Sequence, residues 1–464
     1  MPWGSNKQQV SFGEQFWIDR TVLTGGSVSG NTVTGLSGLT AGKYNGCRMT
    51  VLSGTNKGKI YHVTSNTTSV LTFQEAATGF AATDAVTFEC KLIPPTIRNL
   101  WIDVPEDFDF PTADRDLNEV YGHGGGQDRV LAATNKISYE RSIPLILQNW
   151  RFAFMLFGIV ADTGTADAVG STTMDGATYV GEINLKVHAG TNFANAAVVQ
   201  IGSGATAEVR AIASGGTTVN LVLTYPLRFA HSDAEAVITV VAPFTHTITA
   251  NPTVPYFDLV GVMLEATAHV RDALGCKIVS GELSSSTDDL VRFTADIAPS
   301  DVKVSGTSPL GTTPSVTVVT TDPYHYRMVS GGLTLNSIVY QAIEAFSYKL
   351  DRGITPVYAH QDVSTNKPYL QVEGRRKHEL TFTVIPFNSN IYDLIDAGTV
   401  FDASIHFVRT ANTDEFTITW HNVTGTTAPH GMPMDGPVKV SAVFNPASVT
   451  SVVVIDSIPF YPCG

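Results

Sequence analysis

Few residues of this chain are spaced as chemistry requires. The stretch Glu106-Asp-Phe-Asp-Phe-Pro111 gathers carboxylates that could bind calcium or exchange a proton. Oxygen-ligand loops set their acids around an Asp/Asn-Gly turn, which is missing here. Phe108 and Phe110 alternate with the acids, as packing anchors of an intersubunit arm would. Tyr121-Gly-His-Gly-Gly-Gly-Gln127 has the glycines of a phosphate cradle, but neither a Lys-Ser/Thr ending nor a strand-to-helix setting, and reads as a hinge or hairpin tip. The 12 histidines are scattered singly; His325 between two tyrosines and His421 after Trp420 read as strand-end or interface residues rather than metal ligands. Cys47, Cys90, Cys276 and Cys463 include no close pair, so local spacing builds no zinc or redox motif. Free thiols are expected in a reducing cytoplasm, a Cys47–Cys90 bridge being the alternative if both belong to one module. No His-Glu-x-x-His, Gly-x-Ser-x-Gly or nucleotide loop occurs, and no carboxylate pair suits glycoside hydrolysis. The expectation is a protein that is not an enzyme, with no catalytic residue, cofactor or metal.

The densest basic run, Arg375-Arg376-Lys377-His378, could touch DNA or an acidic partner. On a strand these side chains alternate between faces, so only half share a surface, and intersubunit ion pairs fit them better. The whole chain carries 29 Lys and Arg against 42 Asp and Glu, a formal charge of −13. Gripping nucleic acid needs clustered cations that displace counterions. An acidic balance suits a surface that DNA slides past, or simply keeps the chain soluble.

The elements that must position these residues are mostly strands. In 464 residues there is room for two to four domains, and 40 Gly, 23 Pro and only 15% charged residues describe many short strands joined by turns. The first ten residues lack the apolar segment of a secretion signal, so the chain is expected to stay where it is made. The most apolar window, 143–160, contains Gln148, Asn149 and Arg151, too polar for a bilayer span, and no membrane insertion is expected. That window reads as a buried helix over 144–158, opened by Pro144 and closed by Gly158, after a strand over 136–143. Strands are expected at 264–270, 276–283, 290–297, 337–350, 370–385, 401–407, 415–421, 438–445 and 449–456, with a short helix over 388–397 stopped by Gly398 and a loop over 305–319.

An internal repeat organises the first half. Arg48-Met-Thr-Val-Leu-Ser-Gly-Thr55 and Val198-Val-Gln-Ile-Gly-Ser-Gly-Ala205 share one form, and both run on through an alternating strand to a Thr-Thr pair, Thr67-Thr68 and Thr217-Thr218. Neither copy holds a constellation that could do chemistry. Both read as small β modules, 22–91 and 164–242, inserted into a scaffold made of 1–21, 92–163 and 243–464, and insertions of this kind usually decorate the outside.

Ala345-Phe-Ser-Tyr-Lys-Leu-Asp-Arg-Gly-Ile-Thr-Pro-Val-Tyr358, followed by Pro368-Tyr-Leu-Gln-Val-Glu-Gly-Arg-Arg-Lys-His-Glu-Leu-Thr-Phe-Thr-Val384, carries the strongest pattern. Phe346, Tyr348 and Leu350 alternate with Ser347, Lys349 and Asp351, and Leu380, Phe382 and Val384 repeat the alternation after the turn. This resembles the tail tube proteins of long-tailed bacteriophages, in which a long strand leads through an extended hairpin to a Glu-Gly-Arg-Arg-like element. The resemblance is best over the C-terminal 200 or so residues and absent from the modules. It implies an all-β fold with one or two short helices and an antiparallel barrel or sandwich scaffold, to which the repeat adds the two small barrel-like modules. It also implies a structural virion protein whose rings stack into a hollow tail tube that conducts DNA. Expected partners are further copies of the chain, the tape measure protein in the lumen, DNA passing without sequence recognition, tail terminator and baseplate proteins, and a sheath if the tail contracts. Assembly in the host cytoplasm follows. Hexameric rings are favoured over pseudo-hexameric trimers because the halves of the scaffold do not align. Phe108, Phe110, Tyr348, Tyr358, Tyr369, Arg375, Arg376 and Lys377 are the candidate intersubunit or ring-stacking residues. The alternative is a fibre, baseplate or adhesin subunit whose modules hold host glycans, though their few aromatics offer little platform.

Overall fold

The computed structural model describes residues 9–23, 26–37, 39, 41, 44, 48–51, 53–56, 59–73, 76–77, 79–80, 84–91, 100–101, 110–111, 114–121, 129–178, 180–216, 218–250, 256–263, 269–287, 289–305, 324, 329–358, 370–385, 390–410, 412–429 and 439–461.

The described residues are all-β with two short α-helices and a 3-10 turn at Gly204–Thr206. The first part holds β1 (Gln9–Val22), β2 (Ser27–Ser29), β3 (Thr32–Thr34), β4 (Arg48–Val51), β5 (Ile60–Asn66), β6 (Val70–Phe73), β7 (Ala85–Lys91) and β8 (Leu100–Trp101). The hairpin β9 (Asp114–Tyr121) with β10 (Arg129–Ser138) follows, then β11 (Arg141–Ile146) and α1 (Phe154–Phe157). Next come β12 (Gly158–Thr173), β13 (Asn184–Lys186), β14 (Val198–Ile201), β15 (Glu208–Ser214), β16 (Asn220–Leu223) and β17 (Ala236–Ala250). After these lie β18 (Tyr256–Met263), β19 (His269–Ser286), β20 (Arg292–Ala298), β21 (Asp301–Ser305), β22 (Val329–Leu335), β23 (Ile338–Tyr340) and β24 (Ile343–Asp351). The chain continues with β25 (Thr355–Val357), β26 (Leu370–Val372), β27 (Lys377–Val384), α2 (Asn390–Asp396), β28 (Val400–Thr410), β29 (Asp414–Thr427) and β30 (Val440–Asp456).

The scaffold is one antiparallel sheet, β11-β20-β19-β24-β27-β30, that continues past β30 through β29-β28-β22-β23. Two long strands change partners midway. The first half of β19 pairs with β18 and β21 and the second with β20 and β24. One edge of β30 pairs along its length with β29, while the other meets β27 at 440–444 and β17 at 452–456. Pro446 sits between those two ladders, where its missing N–H leaves no second partner unpaired. Alternation puts Phe346, Tyr348 and Leu350 of β24 and Leu380, Phe382 and Val384 of β27 on the core face, against Phe416, Ile418 and Trp420 of β29. The α1 side chains Phe154 to Phe157 are all buried there.

The two repeat copies are built alike. The pairings β4–β5, β5–β6, β3–β6, β4–β7 and β1–β7 match β14–β15, β15–β16, β13–β16, β14–β17 and β12–β17. Each has its own core, one around Val33, Leu71 and Phe73, the other around Leu185, Leu221 and Leu223. The strand β12 runs from the scaffold into the second copy across 163/164, and β17 runs back across 242/243, neither ending there. We call the copies module 1 and module 2.

Several expectations need correction. The helix expected over 144–158 is a strand and a loop, with only Phe154–Phe157 helical. Ile143, Leu145 and Leu147 are buried in alternation, and Pro144 is tolerated because among the described residues β11 pairs on one side only, with β20. The strand expected over 136–143 breaks at Tyr139 and Glu140. That over 337–350 breaks at Gln341 and Ala342, whereas 438–445 and 449–456 are parts of the single strand β30. The segment 276–283 lies inside β19, which begins at His269, and 264–268 is outside the described residues. The short helix is found at Asn390–Asp396, with Gly398 at φ +61° beyond it; of the loop expected over 305–319, Ser305 ends β21 and the rest lies outside the described residues, as do His325, Phe108 and Tyr369. The side chains of Cys47, Cys90 and Cys463 lie there too, and the Cys276 thiol is buried and donates to the Ala273 carbonyl at 3.4 Å.

Candidate assembly surface

The face of the β11-β20-β19-β24-β27-β30 sheet that points away from the core is polar, and its cross-strand rows can be read from the register. One row runs Ser142, Asp296, Ser280, Asp351, Lys377. The next runs Pro144, Thr294, Glu282, Lys349, Glu379, and a third Ile146, Arg292, Ser284, Ser347, Thr381, Val443. Opposite charges therefore meet across the ladders, which favours this register. The Ser347 hydroxyl donates to Glu282 Oε1 at 2.7 Å, and Ser280 donates to Asp296. The rows hold four carboxylates and three cations, a net of −1, spread among hydroxyls. A face so composed has no cation cluster with which to hold phosphates.

The hairpin β25–β26 grows from one end of this face, and its root is built tightly. A Cβ on Gly374 would stand 2.5 Å from the Gly353 carbonyl oxygen, and one on Gly353, at φ +60°, would stand 2.7 Å from that of Arg375. Two glycines therefore let the strands of the root touch backbone to backbone. Beside them Glu373 reaches two buried cations, Lys277 Nζ at 2.8 Å and Arg352 Nη2 at 3.6 Å. Arg352 also donates to the Leu156 and Phe157 carbonyls at the end of α1. Burial, then the neighbouring Arg376, pull its pKa down to about 10, so it stays charged at neutral pH. Above the root, Val357 and Val372 share one face of the hairpin and remain 38% and 45% exposed.

The candidate residues divide by location. Arg375 and Lys377 are exposed and Arg376 is half-buried at the hairpin root. Of the basic run Lys377 and His378 are in a strand, β27, so the alternation expected across it starts there, with His378 turned into the core. Tyr358 is half-buried, its hydroxyl donating to the Ile137 carbonyl at 3.1 Å, which ties the hairpin to the end of β10. Two candidates are corrected. Tyr348 is buried in its own subunit's core beside Trp420, and Phe110 is buried in the same core against Gly261, so neither presents surface to a neighbour. Alternation along β24 already places Tyr348 inward. Lys277, Arg352 and Glu373 escaped the sequence reading because the first lies 96 residues from the last and no local spacing joins them. Among the described residues no group of three or more His, Cys, Asp or Glu is placed to hold a metal ion.

No curated protein matches the chain. A family model described as phage tail tube protein matches residues 76–451, which include the polar sheet, the hairpin root and all of module 2. With most of its length matched, and with the strand-rich scaffold such a subunit needs, this chain belongs to the phage tail tube protein family, the structural proteins that self-assemble into the tube of a phage tail.

Proposed function

We propose that the subunit closes into hexameric rings that stack into the tail tube, with the polar face of the β11-β20-β19-β24-β27-β30 sheet lining the bore. The observation that carries this reading is the composition of that face. It is broad, hydroxyl-rich and faintly acidic, which suits DNA that must pass without being held. Pairing between neighbouring subunits at sheet edges such as β11 would also remove the edges that otherwise invite aggregation. The hairpin, with Val357, Val372, Arg375 and Lys377 exposed, is the element placed to contact the next subunit or ring. Modules 1 and 2 decorate the outside. The tape measure protein fills the bore before DNA does, terminator and baseplate proteins cap the ends, a sheath surrounds the tube if the tail contracts, and assembly takes place in the host cytoplasm.

Negative-stain electron microscopy of the purified protein over a range of concentrations tests this reading. Hollow six-fold rings or tubes of uniform bore are expected, with outer knobs that vanish when 24–83 and 175–234 are replaced by short linkers. Threefold rings would replace the hexamer by the trimer, and compact monomers at every concentration would sink the tube arrangement.

A further inference from the structure

Where module 2 meets the scaffold, seven charged side chains are withdrawn from water and an eighth, Glu235, is half-buried at their edge. Asp162 of β12 takes His246 Nδ1 at 2.7 Å and Arg228 Nη1 at 3.3 Å. Glu208 of β15 takes Arg210 Nη2 at 2.6 Å and His231 Nε2 at 2.6 Å, and accepts the backbone N–H groups of Arg228 and Phe229. His231 Nδ1 lies 2.8 Å from Glu235, and His246 Nε2 lies 3.2 Å from Asp456 of β30. Four carboxylates thus face two arginines and two histidines, and the cluster is neutral when both histidines carry a proton.

The segment 457–461, which follows β30, is inserted into this junction. Tyr461 is fully buried, stacked on the His246 ring at 4.0 Å, and its hydroxyl donates to Asp456 Oδ2 at 2.5 Å. Its backbone carbonyl accepts from Arg228, a module 2 side chain that also reaches the Val160 carbonyl at 2.6 Å. Phe460 lies under the Arg210 guanidinium at 5.1 Å and packs edge-on against Tyr225 at 5.0 Å, within a small cluster separate from the core of module 2.

We propose that Phe460 and Tyr461 form a latch that locks module 2 onto the scaffold, and that releasing it loosens the junction while module 2, still joined through β12 and β17, keeps its own fold. Module 2 supplies Arg210, Tyr225 and Arg228, the scaffold supplies Asp162, His246 and Asp456, and Phe460 and Tyr461, beyond the end of β30, fill the slot between them. Truncating either partner leaves buried charge unpaired, which is why the junction holds in one geometry. Because the module core around Leu185, Leu221 and Leu223 shares no residue with the slot, the lock and the module fold are separable.

The protonation pattern agrees. Burial opposes a charge on His246, but hydrogen bonds to Asp162 and Asp456 and the charges of those carboxylates outweigh it and raise its pKa to about 9. Burial likewise opposes charge on His231, and Glu208 and then Glu235 more than compensate, raising it. Burial opposes ionisation of Glu208, yet Arg210 and His231 hold its pKa down. Tyr461 is pushed far up by burial and by Asp456, with Tyr324 adding to the rise and Arg151 opposing it, so its hydroxyl remains a donor. A raised histidine supports the fold fully below its unfolded value and loses that support as pH climbs through its folded one, so the latch weakens toward pH 9.

Hydrogen–deuterium exchange on the full chain at pH 7.5 tests the latch. In Asp456→Asn, and more mildly in Tyr461→Phe, amides in 226–232 and 457–461 are expected to exchange at least tenfold faster than in the unaltered protein, with those of β14 and β16 unchanged. Unchanged exchange at 226–232 in both variants overturns the proposal, and so does a loss of protection that includes β14 and β16. Phe460→Ala removes packing without touching a charge and is expected to give the same local opening. If Asp456→Asn fails to fold, Tyr461→Phe and Phe460→Ala decide the question alone.

Discussion

The Tyr348 hydroxyl and Nδ1 of His378 lie 2.8 Å apart across the β24–β27 ladder, both inside the core. Burial, then the charges of Arg376 and Arg352, press the His378 pKa down to about 4, so the ring is neutral and accepts the hydroxyl proton.

A histidine kept neutral supports folding above its unfolded pKa near 6.5 and loses that support as pH falls toward 4. Up to about 3 kcal/mol of stability should disappear over that window. Urea unfolding at steps from pH 7 to 4.5 measures it, and His378→Gln should flatten the curve; an identical pH slope in the variant would count against His378 as its source. Tyr348→Phe should cost about 1–2 kcal/mol at pH 7.

Removing Glu373 leaves Lys277 and Arg352 as buried cations without their shared carboxylate. Glu373→Ala is expected to cost about 3–5 kcal/mol in chemical denaturation. A loss below about 1 kcal/mol, the range of an exposed ion pair, would show that water reaches both cations.

Gly374→Ala places a methyl group 2.5 Å from the Gly353 carbonyl oxygen, an atom fixed by backbone. The root must open, at a cost of about 1–3 kcal/mol, and the hairpin changes direction. Ring formation seen by electron microscopy should fall more steeply than the melting temperature. Normal rings from this variant would refute a directing role for the root.

Val357→Asp with Val372→Asp alters only exposed hairpin positions. Melting of the subunit should stay within about 0.5 kcal/mol of the unaltered protein for each change. Sedimentation should nevertheless show that assembly is lost, whereas full assembly would remove the hairpin from the interface.

Glu282→Lys with Glu379→Lys turns the polar face from −1 to +3. The altered subunit should bind duplex DNA at 50 mM salt and release it near 200 mM, as phosphate contacts do. Fluorescence anisotropy reads this directly. Equal binding by the unaltered protein would contradict a face built to let DNA pass.

Period-two alternation made β24 and β27 legible in the sequence, because one face of each is buried and the other is not. The repeat, whose copies are offset by 150 residues from Ser53 to Ser203, made β4 and β5 legible beside β14 and β15 for the same reason, each copy repeating the same turns. The error at 144–158 arose where a proline and a glycine bracket an apolar run: helix caps and an edge strand followed by one helical turn leave the same marks. Partner choice was not legible. Nothing local in Lys277 announces Glu373, and nothing in His246 announces Asp456, 210 residues away, because burial of a charge is decided by the sheet that covers it.

The position of β30 between three other strands has a kinetic meaning. Until it docks, β17, β27 and β29 each present an edge with unsatisfied backbone groups. The ladder from β17 to β30 closes a loop of some two hundred residues, far slower to form than the hairpins on either side. A subunit that has made all its hairpins but not placed β30 is sticky in the wrong places, and ordered polymerisation depends on that strand arriving before a neighbour does.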